Sequence, residues 1–259
     1  MKISIITVAY NSAATLPDTI ESVLRQDYAD IEYILVDGNS TDATPDVAER
    51  YRPALQQRVA FRYLREADDG LYDAMNKGLA MATGEVVGIL NSDDFFASDT
   101  IISEIAAAFS ADATLDAVYG DVRYVQPDDF ARTVRYYSSA AFHRSRMRRG
   151  FMPAHPSFYC RRAVYEKYGT FDTSYRVAAD FELLLRLIYV HGIRTHYLPK
   201  CFVTMRIGGL SNGSLKNRLR IMRDHRRALA SHGVSSNYLL LSTRYFSKIR
   251  ELIAGRFGR

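Results

Sequence analysis

Apolar positions fall in short runs that end in polar clusters, and between the runs they recur at helical spacing. Ile3 to Ala9 is a continuous apolar stretch broken only by Ser4 and Thr7, which predicts a strand buried on both faces. A helix is expected from about Thr15, with Pro17 in its first turn and Leu16, Ile20, Val23 and Leu24 on one face. The same alternation continues with a strand over Tyr33–Val36, a helix over Thr44–Tyr51, a strand over Val59–Leu64 and a helix over Leu71–Met81. Val86–Leu90 and a helix from about Asp99 to Phe109 complete the regular half. Strand and helix alternating with such short connections predict an α/β fold with a mostly parallel sheet flanked by helices.

The second half is less regular. Val118–Gln126 and Arg132–Tyr137 read as paired strands across Pro127-Asp128-Asp129, and His155–Cys160 as a strand followed by a helix to Tyr168. Asp180 opens a helix over Phe181–Val190, and Tyr197–Arg206 is a further strand. Ser138–Met152 is polar and Arg-rich and reads as a mobile loop.

Where the first strands end, the polar residues are ligand types. Ile5-Ile6-Thr7-Val8 runs into Ala9-Tyr10-Asn11-Ser12, Leu35-Val36 into Asp37-Gly38-Asn39-Ser40-Thr41-Asp42, and the Val86 strand into Asn91-Ser92-Asp93-Asp94. In open parallel sheets ligands bind outside the carboxyl ends of the strands. Adjacent carboxylates at such a rim can hold a hard divalent cation, and through it a diphosphate.

Composition narrows this further. At 259 residues, 47% hydrophobic and 24% charged, the chain suits one large domain with an appendage. Two cysteines, Cys160 and Cys201, match no metal spacing and fit free thiols in a reducing compartment. Met1 leads directly into a strand with no signal peptide, and no apolar run is long enough to cross a bilayer. The net charge of +5 is uneven: eleven Lys and Arg against Asp224 and Glu251 give Leu215–Arg259 about +9, leaving about −4 for the first 214 residues. Arg144, Arg146, Arg148 and Arg149 form a second basic cluster. Leu215, Leu219, Met222 and Leu229, then Leu241, Tyr245, Ile249, Leu252 and Ile253, recur at helical spacing among the basic residues. Such stripes suit either an anionic membrane surface or packing on the body.

Five segments in order carry a resemblance. They are Thr7–Asn11, Val36–Asp42, Asp69–Gly78, Asn91–Asp94 and Ala179-Asp180-Phe181-Glu182. Over about residues 2 to 212 the chain resembles the family-2 glycosyltransferases, which have the GT-A fold. The resemblance implies inverting transfer of a sugar from a nucleotide-diphosphate donor, with Mg2+ or Mn2+. It implies a transferase domain over 1–212, with its nucleotide-sugar half at about 1–97 and its acceptor half at about 98–212, and a basic helical tail over 213–259. Asp180 is the implied base and Asp94 the implied metal ligand. Thr7, Val8, Tyr10, Asn11, Asp37, Asp69, Lys77, Asn91 and Asp93 are assigned to the donor, with Tyr10 against the nucleobase. His155, Gly209 and Ser211 are weaker assignments to acceptor or phosphate. One departure stands out: many relatives have Glu-Asp where this chain has Ala179-Asp180.

The implied partners are a UDP-sugar in preference to a GDP-sugar and a saccharide acceptor, as on a polyprenyl diphosphate in surface polysaccharide synthesis. The implied place is the cytoplasm, peripheral on the inner face of the membrane. A sugar nucleotidyltransferase is the enzymatic alternative, disfavoured because Ala9–Ala14 lacks glycine. A non-enzymatic basic protein on membrane or nucleic acid leaves Asp37, Asp93, Asp94 and Asp180 without a role, and nucleic acid is not an expected partner.

Overall fold

The computed structural model describes residues 1–208 and 215–244. Its centre is a nine-stranded sheet in the order β3-β2-β1-β4-β8-β6-β9-β5, with β7 paired to β6. The first half is parallel: β1 (Ile3–Ala9) lies between β2 (Ile31–Asp37) and β4 (Val86–Ile89), and β2 pairs with β3 (Ala60–Arg65). These strands are joined by α1 (Leu16–Leu24), α2 (Thr44–Arg58) and α3 (Leu71–Met81). Because strand side chains alternate between faces, β1 sends Ile6 and Val8 to one core and Ile3, Ile5 and Ala9 to the other. Every residue of β1, β2 and β4 is buried, which explains why these strands read as nearly continuous apolar runs.

The second half mixes directions. β5 (Phe95–Phe96) pairs with β9 (Thr195–Arg206), α4 (Ile101–Ala111) covers the sheet, and β6 (Ala117–Gln126) runs parallel to β9 but antiparallel to β7 (Asp129–Tyr137) and β8 (Phe158–Arg161). β8 then closes against β4 through Gly88, opposite Tyr159, where a Cβ would come 2.1 Å from the tyrosine ring. α5 (Arg162–Tyr168), α6 (Ala179–Leu184) and α7 (Leu215–Ser231) complete the fold.

Three expectations need correction. α2 continues past Tyr51 and through Pro53 to Arg58, with the fully buried Leu55 anchoring its last turns. The helix expected over Phe181–Val190 begins at Ala179 and widens after Leu184 into a π-turn over Leu185–Val190. Ser138–Met152 is built structure: a 3-10 turn at Arg144–Arg149 buries Met147 completely. That turn is bolted to the far end of the chain, since Arg148 Nε donates to Ser235 O at 2.9 Å and Ser236 Oγ donates to Arg148 O at 2.6 Å. One buried methionine among arginines gives no periodic signal, and the hydrogen bonds that anchor Arg148 are 87 and 88 residues away.

The basic C-terminal segment, as far as Arg244, packs on the body. Ala228, Leu229, Val234 and Leu241 belong to the same core as α6 and α3. Leu219 stays 58% exposed and Leu239 81% exposed. Residues 213–214 and 245–259 of the expected tail lie outside the described residues, as do Gly209 and Ser211.

Candidate active site

The rim at the carboxyl ends of β1, β2 and β4 is held by cross-loop hydrogen bonds. Asn11 takes a left-handed backbone, φ 52°, and its Oδ1 accepts from Thr41 N at 2.9 Å and Asp42 N at 3.3 Å. Ser12 Oγ meets Ser92 Oγ at 2.8 Å, tying the β1 loop to the acidic loop. Asp42 Oδ1 accepts from Thr44 N at 2.9 Å, the start of α2. The side chains of Thr7 and Val8 are buried in the sheet, so β1 presents only Tyr10, 64% exposed, and the loop beyond it.

Asp37 is fully buried. Its Oδ1 accepts from Ser40 N at 2.8 Å, its Oδ2 from Tyr63 Oη at 3.0 Å, and Arg65 Nε lies 3.6 Å from Oδ2. The acid that reaches over this loop is Asp68, which the sequence reading passed over for Asp69. A Cβ on Gly38 would fall 2.2 Å from Asp68 Oδ2 and 3.5 Å from the Tyr10 ring, so glycine is needed there for space. Gly38 was the only signal that could have found this approach. Asp69 is exposed and its backbone N donates to Asp73 Oδ2 at 3.1 Å. Lys77 braces the same loop, 2.7 Å from Glu66 Oε1 and 3.4 Å from Asp73 Oδ2, with Nζ donating to Ala67 O at 2.6 Å.

The acidic loop after β4 is pinned from three sides. Thr19 Oγ1 of α1 donates to Asp94 O at 2.6 Å. Arg206, at the end of β9, donates to Asp93 O and pairs with Asp18, while its guanidinium lies 5.2 Å from the Phe95 ring centroid and 4.7 Å from that of Phe130. Asn91 Nδ2 donates to Asp94 Oδ2 at 2.9 Å. Asp94 Oδ1 is buried with no hydrogen-bond partner among the described residues. Burial first, and then the neighbouring Asp93 charge, push the Asp94 carboxyl well above the usual carboxylate range; burial also raises Asp93.

A buried carboxylate oxygen without a donor costs folding free energy, of order 1–3 kcal/mol for an unsatisfied polar group. A hard divalent cation suits that oxygen. Among the described residues no cluster of three or more His, Cys, Asp or Glu could hold a metal. The protein therefore offers Asp94, with Asp93 beside it, and the remaining ligands of a cation would come from substrate and water.

Asp180 sits in the first turn of α6, just past Ala178 at its cap. Its Oδ1 accepts from Phe181 N at 2.8 Å and, more weakly, from Tyr72 Oη at 3.4 Å. The same Tyr72 hydroxyl, from α3, donates to Val177 O at 2.7 Å. Burial pushes the Asp180 carboxyl up to about 6. Asn76 clamps the preceding segment through both Phe171 backbone groups, Nδ2 to O at 2.9 Å and N to Oδ1 at 3.0 Å. Phe171 stacks on Tyr72 with centroids 5.5 Å apart, and His155 meets Phe171 edge-on at 5.5 Å. Burial pulls His155 down to about 4, so it is neutral at neutral pH. The Asp69–Gly78 segment thus supports Asp180 through Tyr72 and Asn76, a function its sequence spacing did not reveal.

Comparison with known proteins bears on the family and the fold. The family model described as Glycosyl transferase family 2 matches residues 4–169. A PGL/p-HBAD biosynthesis glycosyltransferase of Mycobacterium bovis is 33% identical over 210 residues, covering 81% of this chain and 78% of the relative. S. aureus TarS 1-349, solved in complex with UDP-GlcNAc, superposes with a TM-score of 0.67 at 19% identity, covering 88% of this chain. This chain spans 66% of that TarS chain, slightly under two thirds. The mannosyltransferase PcManGT from Pyrobaculum calidifontis, solved with GDP-Man and Mn2+, gives 0.65 at 19% identity, covering 99% of this chain and 86% of that one. At these identities the two structures bear on the fold alone.

Proposed function

We propose that this chain, which belongs to glycosyl transferase family 2, moves a sugar from a nucleoside diphosphate donor to an acceptor hydroxyl with inversion at the anomeric carbon. It is a glycosyltransferase with the GT-A fold; the donor, the stereochemistry and the acceptor are our reading. The observation that supports it is the contrast between two carboxyls, one after β4 and one in the first turn of α6. Asp94 has a buried oxygen with no hydrogen-bond partner among the described residues, and Asp180 is held near 6 with its first oxygen already oriented by a backbone N–H.

In this reading Asp180 takes the proton from the acceptor hydroxyl as that oxygen attacks from the face opposite the diphosphate. A carboxyl near 6 is ionised at neutral pH yet basic enough to accept a proton. Tyr10 lays its exposed ring against the nucleobase, with Asp37 and Asp68 behind it, and Asp93 faces the ribose. Mg2+ or Mn2+ held at Asp94, with Asn91 steering that carboxylate, would neutralise charge gathering on the departing diphosphate. Asn11, Asp69 and Lys77 hold the loops that shape the donor pocket, and His155 lies on the acceptor side as a neutral group.

The preferred donor is a UDP-sugar over a GDP-sugar. The acceptor is a saccharide carried on a lipid such as a polyprenyl diphosphate, in surface polysaccharide synthesis. Support for a lipid comes from the two basic stretches, which fold onto each other through Arg148, Ser235 and Ser236 beside the exposed Tyr238 and Leu239. That face suits the anionic inner surface of a cell membrane. Among the described residues no helix is long and apolar enough to cross one. Sedimentation with anionic vesicles, weakening as salt rises, is the expected result, and its absence at low salt would remove the membrane from this reading.

The test of the reaction is turnover of α-linked UDP- and GDP-sugars, followed by NMR. Nucleoside diphosphate should appear together with a β-configured glycoside of the acceptor. An α-configured first product would contradict inversion.

A further inference from the structure

The segment set apart by its charge packs against the helix that carries Asp180. α7 crosses α6 so that the His225 imidazole lies flat on the Phe181 ring, centroids 3.8 Å apart and planes 5° from parallel. Phe181 is the residue whose N–H orients the Asp180 carboxylate. Farther along both helices, His232 Nε2 meets Glu182 Oε1 at 2.7 Å, and Glu182 also accepts from Arg186 Nε at 2.9 Å. Beyond α7, Arg244 is buried and its Nη1 donates to His225 Nδ1 at 2.9 Å. Gly150, φ 76°, closes this group from the other side: a Cβ there would lie 3.0 Å from His225 Nδ1 and 3.4 Å from Arg244 Nη1.

An arginine is rarely buried without a purpose, because desolvating its charge is expensive. Here the guanidinium is held by an imidazole that lies against the neighbour of Asp180. Its positive charge also acts on Asp180, opposing the upward push of burial on that carboxyl.

We propose that His225 and Arg244 are positioning residues for Asp180, His225 fixing the first turn of α6 through Phe181 and Arg244 holding that imidazole in place as a buried cation on the same chain of contacts. The proposal rests on the reading of Asp180 as the base. It makes the segment 215–244 part of the support of the active site, a role that its basic composition does not suggest.

Several other groups surround Asp180. Tyr72 faces it from α3 through its hydroxyl. Glu182 on α6, Arg186 in the π-turn and His232 after α7 are paired with one another. His155 lies beyond Phe171 and is neutral. Arg244 is the cation that acts on Asp180.

The experiment is a set of pH–rate profiles on the full chain, with melting temperatures, for wild type, Arg244→Lys, Arg244→Met, Arg244→Gln, His225→Phe and His225→Ala. Removing the charge should move the acidic limb up by about half a unit to one unit. Arg244→Lys should leave it in place. Arg244→Gln carries the same test should Arg244→Met fail to fold. His225→Phe keeps a flat ring and should keep plateau kcat, whereas His225→Ala should lower kcat about tenfold or more with donor KM unchanged. An unmoved limb in a folded neutral variant of Arg244, or wild-type kcat in His225→Ala, overturns the proposal. Full activity in Asp180→Asn would instead overturn the assignment of the base, so the two failures are distinguishable.

Discussion

Asp180→Asn is expected to lower kcat by about 10³-fold while leaving donor binding within about twofold of wild type, since a positioned general base is worth some 10²–10⁴-fold. The amide retains an oxygen that can accept from Phe181 N–H and Tyr72 Oη, so α6 keeps its first turn. What the amide cannot do is hold the acceptor proton. The wild-type profile carries the same claim. With the Asp180 carboxyl near 6, the group is protonated below that pH and unable to act, so activity rises with pH through about 6. At pH 5 the rate should be about a tenth of its plateau, and this limb should vanish in Asp180→Asn. Steady-state kinetics over pH 4.5–8 read both outcomes. A variant that retains more than about a tenth of wild-type kcat sinks the assignment.

Asp94→Asn should remove activity, by about 10²-fold or more, and at the same time stabilise the protein. Wild-type Asp94 buries a carboxylate with one oxygen lacking a partner among the described residues, beside the Asp93 charge. Its folded pKa is raised above the unfolded value of about 3.9, so the folded state loses stability as pH climbs from about 4 through the raised value. The neutral amide does not titrate, and the stability gained by the variant should therefore grow across that window. At pH 7 without metal a gain of about 1 kcal/mol corresponds to a rise in Tm of about 2–4 °C for a domain of this size. Thermal melts at pH 4 and pH 7 check the sign. A variant less stable than wild type at pH 7 would show that Asp94 is held by interactions within the fold, and would remove the argument for a ligand there.

The parallel half of the sheet was legible because its strands are buried on both faces and end in polar clusters. The observed β1 coincides with the expected Ile3–Ala9, and α3 with Leu71–Met81. Asp180 and Asp94 are read from the motifs around them, and their roles are our proposal. What local pattern could not show were pairings between distant residues. Tyr72 meets Asp180, 108 residues on, and Asn76 clamps Phe171, 95 residues on. Both lie in a segment read chiefly for donor contacts. Lys77 and Asn11 look like ligand residues by type, yet the structure commits them to bracing loops. The stripe of Leu229 and Leu241 suits a membrane or a core equally well in sequence; both are buried in the core shared with α6, where His225 of α7 stacks on Phe181. Arg144–Arg149 was misread as mobile for a related reason: its anchors at Ser235 and Ser236 follow from tertiary structure alone.

The most direct test of the account is calorimetric titration of the wild-type chain with UDP and with GDP, in Mn2+ and then in excess chelator. Binding of one nucleotide, dependent on Mn2+ and abolished in Asp94→Asn, is the result expected if Asp94 and the Tyr10 loop form the donor site. Equal affinity with and without chelator, or no binding of either nucleotide by the folded protein, would contradict it.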